Sequence, residues 1–280
     1  MNLGQTSLEQ QSTQQAAIRI ASLHQLDEFQ SCVDLQLAVW GYSDGDLIPR
    51  RMFLLADRIG GQVLGAFDGD NIIAFAMALP GFRNGQPYLH SHMLAVLPDY
   101  RNLGLGRRMK LAQRDDALAR GFELMEWTFD PLEIKNAHLN IARLGAICRR
   151  YYPDFYGPSS SPLQGGLPTD RLYAEWWLRS PRVLRVLGES DGQGSEPAEE
   201  SIAITEEVLV PHQLHAWKQN PETRGRALEV QRSNREALQA AFRSGLAVVG
   251  YRRGDNGDGH FILRSLDLAE ITPAGHPAHH

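Results

Sequence analysis

Cysteine is scarce in this chain: Cys32 and Cys148 are the only two in 280 residues. Two thiols cannot build a disulfide framework, so stability must come from a packed core, and a reducing compartment is expected. Long apolar runs are also missing. No stretch approaches the ~20 residues needed to span a bilayer, and no basic segment leads into an apolar one as in a secretory leader. The expectation is a soluble, cytoplasmic protein with no membrane partner. Positive charge is not in excess, with 28 Lys and Arg against 33 Asp and Glu and a formal net charge of −5. That balance argues against broad nucleic-acid binding.

A hydrophobic content of 42% is enough for one large core or two modest ones. The stretch Val96 to Met109, Val-Leu-Pro-Asp-Tyr-Arg-Asn-Leu-Gly-Leu-Gly-Arg-Arg-Met, carries the most information. A β-prone run, Tyr88 to Val96, ends at a turn bearing Gly104 and Gly106, after which Leu105, Met109 and Ala112 recur at helical spacing until Gly121. Glycine lets a ligand approach the backbone, and the free N–H groups of a first helical turn favour an anion. A Walker loop would need Gly-Lys-Ser/Thr, and a dinucleotide turn would need a third glycine. Neither is present, so a phosphate cradle of another kind is expected. Arg101, Arg107, Arg108, Lys110 and Arg114 cluster around it, although a run of charge on a helix is often only a solvated face.

The remaining pattern alternates strands and helices. Strands are expected at 17–21, 61–67, 71–79 and 122–129, with the second and third joined by an Asp68-Gly-Asp hairpin turn. Helices are expected at 24–40, 49–59 and about 133–149. Five segments follow from this reading. They are a Gln/Ser-rich disordered arm (1–16), a core (17–180), a flexible acidic linker (181–200), a strand-helix-hairpin extension (201–270) that completes or flanks the sheet, and a Pro/His-rich tail (271–280).

Arg101-Asn-Leu-Gly104-Leu-Gly106 resembles the Arg/Gln-x-x-Gly-x-Gly/Ala turn of GNAT acyltransferases, and the element order around it resembles their core from about Ile18 to Leu178. Further similarity, to a poorly characterised bacterial branch of predicted GNAT acyltransferases, is carried by Leu89-His-Ser-His-Met-Leu, Trp127-Thr-Phe-Asp-Pro-Leu, Asn136-Ala-His-Leu-Asn140, Leu144-Gly-Ala and Leu167-Pro-Thr-Asp-Arg with Glu175-Trp-Trp. The resemblance implies an α/β fold of mixed α+β type, a mixed central sheet flanked by helices with a C-terminal extension. It also implies an acyltransferase using acetyl-CoA or another acyl-CoA and no metal. Coenzyme A would lie on Leu94, Ala95, Val96 and Arg101, Asn102, Leu103, Gly104, Leu105, Gly106, Arg107 and Arg108, with Asn136 and Asn140 on the pantetheine or phosphate arm.

Transfer to an amine needs a base, an oxyanion site and a proton for the leaving thiolate. Backbone N–H groups of strand 93–96, opened by a bulge, would serve the oxyanion if the resemblance holds. His90 and His92, two apart on a strand, share a face and have a suitable unperturbed pKa. His90 is favoured as base and His92 is the runner-up, against a purely structural role for both. The family's proton-donating tyrosine is replaced by Ile141, which leaves Tyr152 as the candidate donor. Cys148, between apolar neighbours on an expected helix, reads as inert. Trp40, Tyr42, Asp44, Trp127, Asp130 and Arg171 would shape the acceptor site, with arginine able to clamp a carboxylate. A small-molecule amine, such as an amino acid, is the expected acceptor, by direct transfer in a ternary complex. A protein or peptide acetyltransferase and a non-catalytic acyl-CoA-binding module stay open, as do acyl length and a homodimer.

Overall fold

The computed structural model describes residues 18–43, 45–83, 85–189 and 205–272. The chain is a mixed α/β protein whose strands are mostly antiparallel and flanked by helices, and it divides into two compact units, 1–122 and 123–280.

The first unit orders its strands β1 (Arg19–Ser22), β2 (Gln62–Asp68), β3 (Asn71–Arg83) and β4 (Gln86–Val96), each antiparallel to its neighbour. Helices α1 (Leu26–Trp40) and α2 (Arg50–Arg58) supply one face. There Phe29 and Phe53 pack with Phe75, Met77 and Met93 of the sheet, each large side chain contributing about 1.5–3 kcal/mol by leaving water. The start of α1 is fixed by the Glu28 carboxylate, which accepts from the backbone N–H of His24 and Gln25. Its end is fixed by Gly41 in the left-handed region. On the other face lies α3 (Leu105–Ala119), whose Leu105 and Met109 pack on Ala74 and Ala76.

In the second unit the order is β5 (Leu124–Phe129), β7 (Arg171–Trp177), β6 (Ile147–Tyr152), β9 (Leu246–Arg253), β10 (Gly259–Ser265) and β8 (Glu206–Val210), again antiparallel throughout. The expected C-terminal hairpin is β9 and β10, and the long helix before it is α7 (Arg224–Arg243), preceded by the short α6 (Leu214–Gln219). Strand β9 pairs with β6 at Cys148 and Val248.

Three expectations are corrected. The helix expected to run to 149 is the single turn α4 (Ile134–Ala137) followed by a π-helical segment, His138–Arg143. Gly145 at φ +79° then breaks the winding, and Ile147–Tyr152 join the sheet, where pairing with β7 outweighs local helix preference. Cys148 therefore sits on a strand. It is fully buried, and desolvation pushes its thiol pKa up. Finally, the expected linker begins with helix α5 (Pro181–Leu187), started by the Ser180 side chain accepting from the Val183 N–H and ended by left-handed Gly188. Residues 1–17, 190–204 and 273–280 lie outside the described residues, and with them the arm, most of the acidic stretch and the tail.

Candidate active site

Strand β4 departs from regular alternation in the middle of its histidine pair. Ala78 pairs with Ser91 and Met77 with Met93, which leaves His92 as the extra residue of a β-bulge. Ser91 and Met93 would share a face in a regular strand. Here Met93 packs with the α1/α2 cluster, whereas the Ser91 hydroxyl reaches α3, donating to Gln113 Oε1 at 3.0 Å and accepting from Lys110 Nζ at 2.8 Å. The rings of His90 and His92 lie 6.3 Å apart and both are partly buried. Desolvation holds the His92 pKa below its usual value, so its imidazole is neutral at pH 7.

Beyond β4, a single 3₁₀ turn (Pro98–Tyr100) leads into the glycine turn. The Tyr100 hydroxyl donates to Asp68 at 2.6 Å and ties this turn to the β2–β3 hairpin. Asn102 (φ +62°) and Gly104 (φ +72°) both adopt the left-handed region, and Gly104 is the N-cap of α3. Such alternating backbone can present successive N–H groups to an anion, and residues 101, 102 and 104 are exposed. Arg101 Nε donates to the Val96 carbonyl at 3.2 Å and Arg108 Nη2 to that of Ile18 at 2.6 Å, so both side chains also brace the backbone. Leu94 and Val96 pack against the α3 side and Ala95 against the α1/α2 side, while Leu105 is buried.

Lys110 and Arg114 do not belong to an exposed basic cluster, because each is only 5% exposed. The helical period that brings Arg107 and Arg108 near the surface turns 110 and 114 toward the sheet. Sequence reading missed the resulting polar layer. In it Gln62 Nε2 donates to the Gln113 carbonyl and Asp116, Gln113 accepts from Ser91, and Ser91 accepts from Lys110. A polar run along α3 was its only sequence signal. Desolvation pulls the Lys110 pKa down to about 7. The unfolded chain then binds more protons than the folded one between about pH 7 and the ordinary lysine value, so stability should rise with pH across that window. Lys110→Met should flatten this rise in urea unfolding measured from pH 7 to 10; an unchanged slope would contradict the assignment.

Trp40 and Tyr42 stack at 5.5 Å and pack against the first unit's core, with Trp40 edge-on to Phe75. The Gln36 side chain bonds both the N–H and C=O of Ile48 and so pins the end of the loop that carries Tyr42. Asp44 lies outside the described residues.

The second unit places its candidates differently from the expectation. Asp130 is not available as a simple amine acceptor: its Oδ2 accepts from Lys218 Nζ at 3.0 Å and its Oδ1 from the Leu132 N–H. Lys218 is 1% exposed and also bonds Glu133. Burial works against its charge, but the two carboxylates outweigh burial and hold its pKa above the ordinary lysine value. Trp127 is 5% exposed and packs edge-on to Trp176, a core contact. Asn136 is exposed and Asn140 buried, so they do not share a face; the π-helical winding after Ala137 changes the angular spacing. Ile141 is buried. Tyr152 is 38% exposed and sits between Phe155 and Tyr173. Arg171 donates to the Asp170 carbonyl and lies 5.3 Å over the Tyr156 ring, whose hydroxyl is 2.9 Å from Thr128 Oγ1.

Residues 26–140 match the model of the acetyltransferase (GNAT) family. Among solved structures, the ribosomal-protein-S18-alanine N-acetyltransferase from Escherichia coli is 14% identical, with a TM-score of 0.46, over 64% of this chain and 99% of that one. Salmonella typhimurium yncA, solved with its cofactor acetyl-CoA, is 14% identical, with a TM-score of 0.47, over 65% and 99%. A GNAT-family acetyltransferase from Streptococcus pneumoniae is 16% identical, with a TM-score of 0.45, over 56% and 97%. Comparison with curated proteins gave no match. Among the described residues no helix is long and apolar enough to cross a membrane. The strand, bulge, glycine turn and helix of residues 86–119 thus lie within the segment that matches the acetyltransferase (GNAT) family model.

Proposed function

We propose that the protein is an acyl-CoA-dependent N-acyltransferase that acts on a small amine, such as an amino acid or related metabolite, by direct transfer in a ternary complex. The observation that carries this reading is the continuous succession of bulged strand, left-handed turn and helix N-terminus from Ser91 to Arg108 within a matched acetyltransferase domain. The exposed turn at 101–104 would receive the coenzyme A pyrophosphate on backbone N–H groups at the positive end of α3. Backbone donors released at the bulge would face the thioester oxygen and stabilise the tetrahedral oxyanion as charge develops on it.

We take His92, the runner-up on the sequence alone, as the base in preference to His90. His92 occupies the bulge itself, and its depressed pKa leaves a lone pair on the ring at neutral pH. His90, two residues away, is the second candidate. As the nitrogen attacks the thioester carbon, its proton passes to imidazole. The tetrahedral intermediate then collapses with cleavage of the carbon–sulfur bond, and the thiolate takes a proton from water. The half-exposed Tyr152 and the Arg171–Tyr156 pair support an acceptor that carries a carboxylate. A purified-protein melting series with acetyl-CoA, succinyl-CoA and, as a control that keeps the thioester but lacks the pyrophosphate, S-acetyl-pantetheine tests the donor. Stabilisation by CoA esters alone is expected; no shift with any ester would reduce the turn to a helix cap.

Gly104→Val gives a sharper test of the same turn. Open space surrounds a Cβ at 104, so the substitution meets no clash, but φ of +72° is costly for a β-branched residue. It should weaken acyl-CoA binding by about tenfold or more, from roughly 1–2 kcal/mol of backbone strain relieved by reshaping the turn. Titration calorimetry with coenzyme A would show this, and unchanged affinity would rule out the cradle.

A further inference from the structure

We infer that the second unit carries a binding site for a small organic anion, bearing a carboxylate or phosphate, between helix α7 and the loop 165–168. A cavity of about 250 Å³ opens there, lined on one side by Arg224, Leu228, Arg232 and Arg235. These positions recur at four, four and three residues, which places them in one stripe along the helix. Gly166, Leu167 and Pro168 form the facing wall.

That wall is built in place. Pro168 O accepts from Gln231 Nε2 of α7 at 2.8 Å and from Gln164 Nε2 at 2.9 Å. Gly165, at φ +62°, approaches α6 so closely that a Cβ would stand 2.7 Å from the Lys218 carbonyl. Gly166, at φ +75°, crosses Arg224 with its Cβ position 3.5 Å from Nη1.

Charge decides the class of ligand. Arg235 is already matched, donating twice to Asp170 at 2.8 Å. Arg224 and Arg232 add two more positive charges, and no acidic side chain lines the cavity. Arg224 Nε is buried without a hydrogen-bond partner among the described residues, and a buried donor of a charged group is costly to leave unmet. An anion would meet it, and two guanidinium forks suit carboxylate or phosphate oxygens. The volume falls just below the usual range for small-molecule pockets. Leu167, Leu228 and Pro168 suit a short hydrocarbon skeleton.

This site does not depend on acyl transfer. It is tested by thermal unfolding of the whole chain at low ionic strength with inorganic phosphate, with succinate and with chloride of matched ionic strength. Phosphate or succinate should raise the melting temperature by about 3 °C above chloride, and the larger rise of the two identifies the head group. The rise should vanish in Arg224→Gln and in Arg232→Gln, the latter an exposed residue whose loss leaves the fold intact, and persist in Arg226→Gln, an exposed charge of the same helix outside the cavity. No rise above chloride, or an equal rise in all three variants, would overturn the proposal.

Discussion

Replacing His92 by alanine is expected to lower kcat by about 10²–10⁴-fold, the usual worth of a positioned general base, while the KM for acyl-CoA changes little. His90→Ala should cost less, because His90 lies before the bulge in a regular part of β4. The pH profile separates a base from a merely structural ring. Desolvation lowers the His92 pKa from its ordinary 6.5, so the wild-type kcat/KM should rise with pH to a midpoint below that value and stay level through neutrality. In His92→Ala this acid limb should disappear. If the variant kept both its kcat and its acid limb, the proton would have to go elsewhere, with His90 or a water as the remaining acceptor.

Asp170→Ala should give the largest loss of stability. Asp170 is 0% exposed and accepts from both arms of Arg235, from the Tyr151 hydroxyl at 2.5 Å and from the Asp154 N–H at 3.0 Å. Removing it strands a guanidinium and a phenol together. Breaking a buried pair costs about 3–5 kcal/mol, and the lower end applies because the Arg235 side chain is 26% exposed and partly screened by water. At about 2–4 °C per kcal/mol for a domain of this size, the melting temperature should fall by roughly 6–12 °C. Asp170→Asn, which keeps an acceptor oxygen, should lose less. A melting temperature within 1 °C of wild type for Asp170→Ala would mean that Arg235 and Tyr151 find other partners.

Asp170 also shows where sequence reading runs out. It stands beside Arg171 in the Leu167-Pro-Thr-Asp-Arg segment with nothing local to mark its role, because the partner that explains it is 65 residues away on α7. Asp130 and Lys218 repeat the pattern across 88 residues. Such pairs leave no local trace, since neither residue type nor spacing records a contact made by the folding of distant segments. The helix expected through 149 failed for a related reason. Its first turns are helical, but Cys148 and its neighbours gain more from pairing with β7 than from continuing to wind.

By itself the sequence determined the elements whose signals are local. β-Prone composition gave β2, β3 and β4, and glycine punctuation gave the hairpin at Asp68-Gly69 and the turn at Gly104. The period of apolar residues gave α1 and α3. Tertiary structure decided what each polar side chain faces. A single extra residue at His92 turns Ser91 toward α3 and Met93 toward α1 and α2, and the winding of α3 buries Lys110 and Arg114 while Arg101, Arg107 and Arg108 stay near the surface. Periodicity specifies which residues share a face only while the backbone stays regular; a bulge or a π-turn resets that register, and the sequence does not mark where the reset occurs.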